Sequence, residues 1–313
     1  MSNIKDIENK HISVLLTELV DSIEIKNDKK NIIVDSTLGM WWHASKMIEK
    51  MNSWDIFVWF DADIKNLELA RIRLEEVNKN KKVEIHLINS NFWNLKDELE
   101  KIWIKEITWI YYDLWLSSLH LDEADRWFSF MKDGPLDMRL NKTKWKTAAD
   151  IVNSYKDSEL REIFLKYGEE PGANKIAKNI VELRRKKRFE TTLELSEIIP
   201  GGVKVKSRIF QAIRIEVNGE LEVLEKSLHD AISLLKKDSN IFVISFHSLE
   251  DRITKNIFRD ETRDCICDDI ICSCGHKKSL KVLNKKPILP SEEEIKQNPR
   301  SRSAKARLAK KII

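Results

Sequence analysis

Glycine is scarce in this chain, 8 residues in 313, and only Gly39 and Gly134 fall among the first 150. Tight turns and backbone-lined pockets depend on bare backbone, so a fold rich in either should need more. Long apolar runs are also missing. None approaches the roughly 20 residues that cross a bilayer, and the opening MSNIKDIENK lacks the apolar core of a signal peptide. A cytoplasmic, soluble protein is expected. Neither charge sign dominates: 55 basic against 51 acidic residues leave a net charge of +4, which by itself argues for no partner class. Local clusters carry more meaning, and RRKKR (184–188) and PRSRSAKARLAKK (299–311) are candidates to touch phosphate or else are a solvated helix face and a loose tail. Cysteine is absent outside CICDDIICSCGH, 265–276, which excludes a disulfide framework spread through the chain. Cys265, Cys267, Cys272 and Cys274 with His276 have enough soft ligands for zinc. The CxC pairs are tighter than the usual C-x2-C, so a metal site and four reduced thiols both stay open and no metal ligand is assigned.

Hydrophobic residues make up 42% and charged residues 34% of the chain, a composition that suits a globular protein with a sizeable core. The first part alternates short apolar strands with helical stretches. NIIVDST (31–37), DIFVWFDAD (55–63), VEIHLINSNF (83–92) and ITWIYYDLWLSS (107–118) read as strands. HASKMIEKM (43–51) reads as a helix, as does IKNLELARIRLEEV (64–77), with Leu67, Ala70, Ile72 and Leu74 at helical spacing. Such alternation predicts a parallel α/β sheet covered on both faces. From about 119 to 214 strand signals vanish and helical ones dominate. The amphipathic ELEVLEKSLHDAISLLKK and a fifth strand, NIFVISFHS (240–248), then return the chain to the sheet. The expected domains are therefore a discontinuous sheet domain, 1–118 and 215–313, and an inserted all-helical domain, 119–214.

Ligands of open parallel sheets lie beyond the carboxyl ends of the strands. Those ends carry Ser36–His43, Asp61, Asn91–Phe92, Asp113–Ser118 and Phe246–Ser248. The first of these turns, DSTLGMWWHA, presents a conflict. Trp41 and Trp42 stand where backbone N–H groups should approach a ligand. All ten tryptophans lie before residue 146, and several occupy turn positions: Trp54 in NSWD, Trp93 after a strand, Trp115 in DLWLSS. Enrichment for stacking surfaces would not select turns. The pattern is the one expected if UGA codons that specify glycine are translated as tryptophan.

With those tryptophans taken as glycine, the chain contains DSTLGMGGHA, VGFDAD, YYDLGLSS and RGFSF, together with GPLDMRL (134–140), YGEE (167–170), FQAIRIEVNGEL (210–221), SFHSLEDR (245–252) and NPRSRSAKAR (298–307). On these motifs, from HISVLL at 11 almost to the end, the chain resembles the bacterial 16S rRNA (cytosine-N4)-methyltransferase family. The resemblance implies a class I S-adenosylmethionine-dependent methyltransferase sheet (Rossmann-like) with a helical substrate-recognition insertion. It also implies N4-methylation of a cytosine in the decoding region of small-subunit rRNA, with a homodimer left open. It places S-adenosyl-L-methionine against Trp41, Trp42, His43, Asp61, Phe92, Asp113 and His120. His120 replaces the family's usual glutamine in SSLHLD.

Elementary chemistry supports several of these roles. Asp61 ends a strand, where an acid accepts hydrogen bonds from a ribose diol, although Asp61 or Asp63 could equally cap the next helix. Phe92 is a candidate to flank adenine, though a lone aromatic is more often core. Cytosine N4 is a weak nucleophile because its lone pair is delocalised into the ring. A carboxylate accepting an N4 hydrogen localises that pair, and Asp113 is the catalytic candidate. Ser117 and Ser118 are candidates to orient the base, and Asp137 and Arg139 to line the cleft edge unless they form an internal ion pair. His247 and Arg252 are candidates to face RNA, with Ser248 and Asp251 as a helix-capping pair. A base inside structured RNA must be extruded to reach the donor; the insertion and the basic tail would hold the surrounding strand. Competing readings are another class I nucleic-acid amino-methyltransferase, an inactive RNA-binding relative if the tryptophans are real, and a nicotinamide oxidoreductase, for which no glycine fingerprint exists.

Overall fold

Branched and aromatic runs, flanked by amphipathic helices, assemble into a seven-stranded sheet. The computed structural model describes residues 13–37, 42–61, 64–114, 133–142, 146–267 and 272–313. The strands are β1 (Ile32–Asp35), β2 (Ile56–Asp61), β3 (Glu84–Asn89), β4 (Ile107–Asp113), β5 (Leu235–Ser245), β6 (Leu280–Val282) and β7 (Lys305–Lys311). Their spatial order is β3-β2-β1-β4-β5-β7-β6. The first five are mutually parallel, and β7 runs antiparallel between β5 and β6. Val34 at the centre faces Val58 on one side and Ile110 on the other. The strand order reverses between β1 and β4, and a sheet of this kind binds its ligands at such a switch point.

The pleat sends alternate side chains to two cores. On one face Ile33, Phe57, Trp59, Trp109, Tyr111 and Phe242 pack with Leu19 of α1 (Leu16–Asp21), with Ala44, Met47 and Ile48 of α2 (Trp42–Lys50), and with Ala70 and Leu74 of α3 (Ile64–Asn78). On the other, Val34, Val58, Phe60, Ile110, Tyr112 and Val243 meet α4 (Leu95–Lys101) through Leu95 and Leu99. Leu224 and Leu228 of α10 (Glu220–Leu234) and Phe258 of α11 (Ser248–Asp260) complete that face. The doubly covered α/β sheet expected from the alternation is the one observed.

The chain divides into two compact units, one from Met1–Trp115 and Glu222–Ile313, the other from Leu116–Leu221. Among the described residues the second unit is built of helices α5 (Ala148–Ser154), α6 (Asp157–Lys166), α7 (Ala173–Leu183), α8 (Thr192–Ile198) and α9 (Val203–Asn218). Capping boxes at Thr147–Asp150 and Thr191–Glu194 start α5 and α8. The core of this unit includes Leu160, Phe164, Ile176, Ile180, Ile209 and Ile213, all buried.

Three local expectations are corrected. Ile72 is 56% exposed, so the buried stripe of α3 runs through Leu67, Ala70 and Leu74 without it. β5 starts at Leu235, directly after α10, and takes in the two lysines assigned above to the helix. The basic C-terminus is not a loose tail: Pro299–Ser303 forms a 3-10 turn, and Lys305–Lys311 is strand β7, hydrogen-bonded along β5 from Asn240 to Ser245. Ala306 and Ala309 of that strand are fully buried, and Arg307 Nε donates to Asp251 Oδ1 at 2.6 Å.

Candidate active site

The carboxyl ends of β1, β2 and β4 each finish on an aspartate, and all three are buried: Asp35, Asp61 and Asp113. Asp35 accepts a very short hydrogen bond at Oδ2 from the Tyr111 hydroxyl, and at Oδ1 one from Thr37 N at 3.2 Å. Desolvation pushes the Asp35 carboxyl well above the usual carboxylate range, against the lowering effect of those two donors, and the charges of Asp113 and Asp61 add to the rise. Burial likewise holds the Tyr111 phenol well above its ordinary value. Thr37 Oγ1 accepts from Asp113 N at 2.7 Å, so the ends of β1 and β4 are stapled together at the switch point.

His43, in the first turn of α2, is 2% exposed. Its Nε2 lies 3.1 Å from Val14 O. A carbonyl can only accept, so Nε2 carries a proton and the ring orientation is fixed. The other nitrogen, Nδ1, lies 3.5 Å from Asp113 Oδ2. The His43 ring also stands edge-on to Tyr111, with centroids 5.7 Å apart. The buried imidazole thus stands between Val14 O and the Asp113 carboxyl at the strand edge.

Asp61 closes β2 opposite Asn89, whose Nδ2 donates to the Asp61 backbone carbonyl at 3.0 Å. Asp63, the other capping candidate, lies outside the described residues. Phe92 is half-buried in the 3-10 turn Phe92–Asn94, with its ring edge-on to Tyr112 at 5.8 Å. Asn91 Oδ1 fixes that turn by accepting from Trp93 N at 2.8 Å. Trp42 begins α2 and packs half-buried against the sheet core, and its Nε1 has no hydrogen-bond partner among the described residues. Trp41, Ser117, Ser118 and His120 lie outside the described residues.

Asp137 and Arg139 form a bidentate pair, Nε–Oδ1 at 2.7 Å and Nη2–Oδ2 at 2.9 Å. Burial would raise the Asp137 carboxyl, but the Arg139 hydrogen bonds outweigh it and the net shift is downward. The internal ion pair is thus the arrangement present. Their loop is pinned from α9, where Asn218 accepts from Leu140 N and donates to Met138 O, each at 2.9 Å. His247, a sequence candidate to face RNA, is the N-cap of α11. Its Nδ1 accepts from Glu250 N, and Glu250 Oε2 accepts from Phe246 N at 2.8 Å. The capping pair is therefore His247 with Glu250, one residue earlier than Ser248 with Asp251, and Asp251 is engaged by Arg307. Arg252 is exposed on α11. Sequence reasoning missed Asp35 and Tyr111. An acid ending the first strand was a signal for one; nothing local marked Tyr111, because only the β1–β4 register turns it toward Asp35.

The sequence model of the MraW methylase family matches residues 8–312. A protein of Clostridioides difficile strain 630 named Ribosomal RNA small subunit methyltransferase H is 45% identical over 317 residues, covering 98% of this chain and 100% of that protein. A protein of the same name from Caldicellulosiruptor saccharolyticus is 44% identical over 311 residues, covering 96% of this chain and 99% of its own length. Among solved structures, an rRNA methylase from Streptococcus thermophilus aligns with a TM-score of 0.43 at 8% identity, over 95% of this chain and 94% of that one.

Proposed function

The chain belongs to the MraW methylase family, and we propose that it transfers a methyl group from S-adenosylmethionine to N4 of one cytosine in the decoding region of 16S rRNA within the small ribosomal subunit. What carries this reading is the buried His43–Asp113 pair at the β1–β4 switch point. The residues present fit the donor. Asp61 is a buried carboxylate at a strand end, suited to accept from a ribose diol, and Phe92 is a half-buried aromatic beside it in sequence order of strand ends, suited to an adenine. When bound, S-adenosylmethionine supplies a sulfonium methyl that is already electrophilic. The protein's part is then to position the amine and to handle one proton.

Asp113 is suited to that second task. Its carboxylate accepts an N4 hydrogen, which returns lone-pair density to the amine and stabilises the positive charge that develops there. His43 Nδ1, 3.5 Å away, is the neighbouring group that shares this proton. Val14 O keeps the imidazole from turning. The helical second unit and the exposed basic residues at 185–188 and Arg252 are the proposed RNA-holding surfaces, and their phosphate contacts make binding salt-dependent.

Methylation of assembled small subunits, naked 16S rRNA and DNA, read by nucleoside mass spectrometry, tests the substrate. N4-methylcytidine from one site of the small subunit is expected; label on another nucleoside, or on DNA alone, sinks the proposal. Asp113→Asn is expected to lower turnover at saturating donor by about 100-fold or more. A rate within a few-fold of the parent removes Asp113 from the chemistry. A second reading, an inactive RNA-binding relative, has one observation in its favour: the Trp42 indole at the start of α2. Absence of donor binding in calorimetry would select it.

A further inference from the structure

Between Glu261, after α11, and β6 the chain makes a loop that the methyl-transfer reading does not use. Among its described residues from 262 to 278 none is buried, so no apolar core holds it. Its base is nonetheless closed: Ser279 N and Leu280 N both donate to Glu261 O, at 2.8 and 3.0 Å. Its four cysteines converge. Each offers one sulfur, and all four sulfurs lie within 4.8 Å of one another. Cys265 Sγ is 3.2 Å from Cys267 Sγ and 3.9 Å from Cys274 Sγ, and Cys272 and Cys274 sulfurs are 3.6 Å apart. Four thiolates about 2.3 Å from one tetrahedral ion lie about 3.8 Å from each other.

We propose that Cys265, Cys267, Cys272 and Cys274 form a structural zinc site. Two arms, each a CxC pair, supply the ligands, and the closed coordination leaves no open position for chemistry. Gly275, with φ +63 and no atom within 4 Å of where a Cβ would stand, lets the chain turn just after Cys274. His276 is not among the converging ligand atoms; its Nε2 lies 3.2 Å from Asp260 O and ties the loop to the last turn of α11. The sulfurs are too close together to wrap a multi-iron cluster, which leaves a single soft-ligand ion, and tetrahedral thiolate sites favour zinc. Binding replaces the four thiol protons, which pass to solvent, and involves no change of oxidation state. The ion takes over the ordering that burial supplies elsewhere, holding the loop beside the edge strand β6.

Metal analysis of the full-length chain, purified under reducing conditions without chelator, is the test. About one zinc per chain is expected, released with a thiol-blocking mercurial and detected by a zinc dye. Cobalt loaded in its place should give thiolate charge-transfer absorption and intense tetrahedral d–d bands. Cys265→Ser combined with Cys274→Ser should cut zinc content more than ten-fold while the far-UV circular dichroism and donor binding persist. Should that variant misfold, the cobalt spectrum of the parent still decides. Four freely titrating thiols with no bound metal, a stoichiometric iron, or two disulfides in the reduced preparation would each overturn the assignment.

Discussion

The two units differ in how their turns are made. The second unit, Leu116–Leu221, holds six of the eight glycines and two of the ten tryptophans; the first holds two glycines and eight tryptophans. At one left-handed helix end the second unit has glycine, although Met138 and Glu169 of the same unit also carry positive φ, 59 and 48. Gly219 follows α9 with φ +65, and Gly219 N donates to Ile215 O at 2.8 Å. The first unit makes an equivalent helix end after α4 with a tryptophan. Trp103 has φ +61 and is 88% exposed. Trp103 N donates to Glu100 O at 3.0 Å and Ile104 N to Leu99 O at 2.9 Å, the paired bonds of a Schellman turn whose left-handed position belongs to glycine. The two helix ends thus share a left-handed position, held by glycine in one unit and by tryptophan in the other. Indoles inside the first unit show the same misfit: Trp109 is 2% exposed with an Nε1 lacking a partner among the described residues, whereas Trp59 at least reaches Thr37 O at 3.2 Å. Glycine codons read as tryptophan would produce this contrast, and the experiments below test that reading.

The largest expected effect tests the second unit. A Cβ on Gly168 would stand 2.7 Å from Phe164 O and 2.9 Å from Arg208 O. Both are backbone atoms, so α6 and α9 must separate. Gly168→Ala should cost about 2–3 kcal/mol, read as a fall in the denaturant midpoint at constant slope. An unchanged midpoint would mean these glycines are not required and would dissolve the contrast.

The matching experiment in the first unit has the opposite sign. Trp103→Gly should raise stability by about 1–2 kcal/mol, the cost of a left-handed side-chain-bearing residue, since the exposed indole forfeits little on removal. A loss of stability instead would show that the indole belongs there. Intact mass of the chain made in its native host decides the matter directly: ten equal decrements from the tryptophan-containing mass are expected, and a match to ten tryptophans refutes the codon reading.

How far sequence reasoning reached follows from these same local signals. Strands β1 to β4 were legible because each is a short apolar run ended by an acid or a turn. β7 was not, because KARLAKK shows charge where the strand buries only alanines and an arginine neutralised by Asp251. The early start of β5 was hidden by lysines that continue the helical pattern of α10. At the strand edge, Asp61 and Asp113 could be placed from strand ends, and His43 from its position after the first turn. The Asp35–Tyr111 bond could not, since it depends on which neighbour β1 pairs with. The His247 cap was misplaced by one residue because the capping acceptor is an imidazole, a rare choice where serine stands next in line.

The smallest effect sharpens the comparison through charge. The first unit's Asp35 is raised by desolvation, and the second unit's Asp137 is lowered by Arg139 against its own burial. The two must therefore bend the stability profile in opposite directions. A carboxyl raised in the folded state keeps its proton longer than in the unfolded chain. Its contribution is full below about pH 3.9, the unfolded value, and is lost as pH rises toward the folded one. A lowered carboxyl contributes above its unfolded value and loses that contribution as pH falls. Asp35→Asn, which copies the protonated form and donates to the Tyr111 oxygen, should thus gain on the parent progressively from about pH 4 upward. Asp137→Asn should lose most at neutral pH and converge on the parent in acid. Denaturation midpoints across that range measure both slopes. If the two variants bend the same way, the strand edge is not the desolvated, anionic site that distinguishes the first unit from the second.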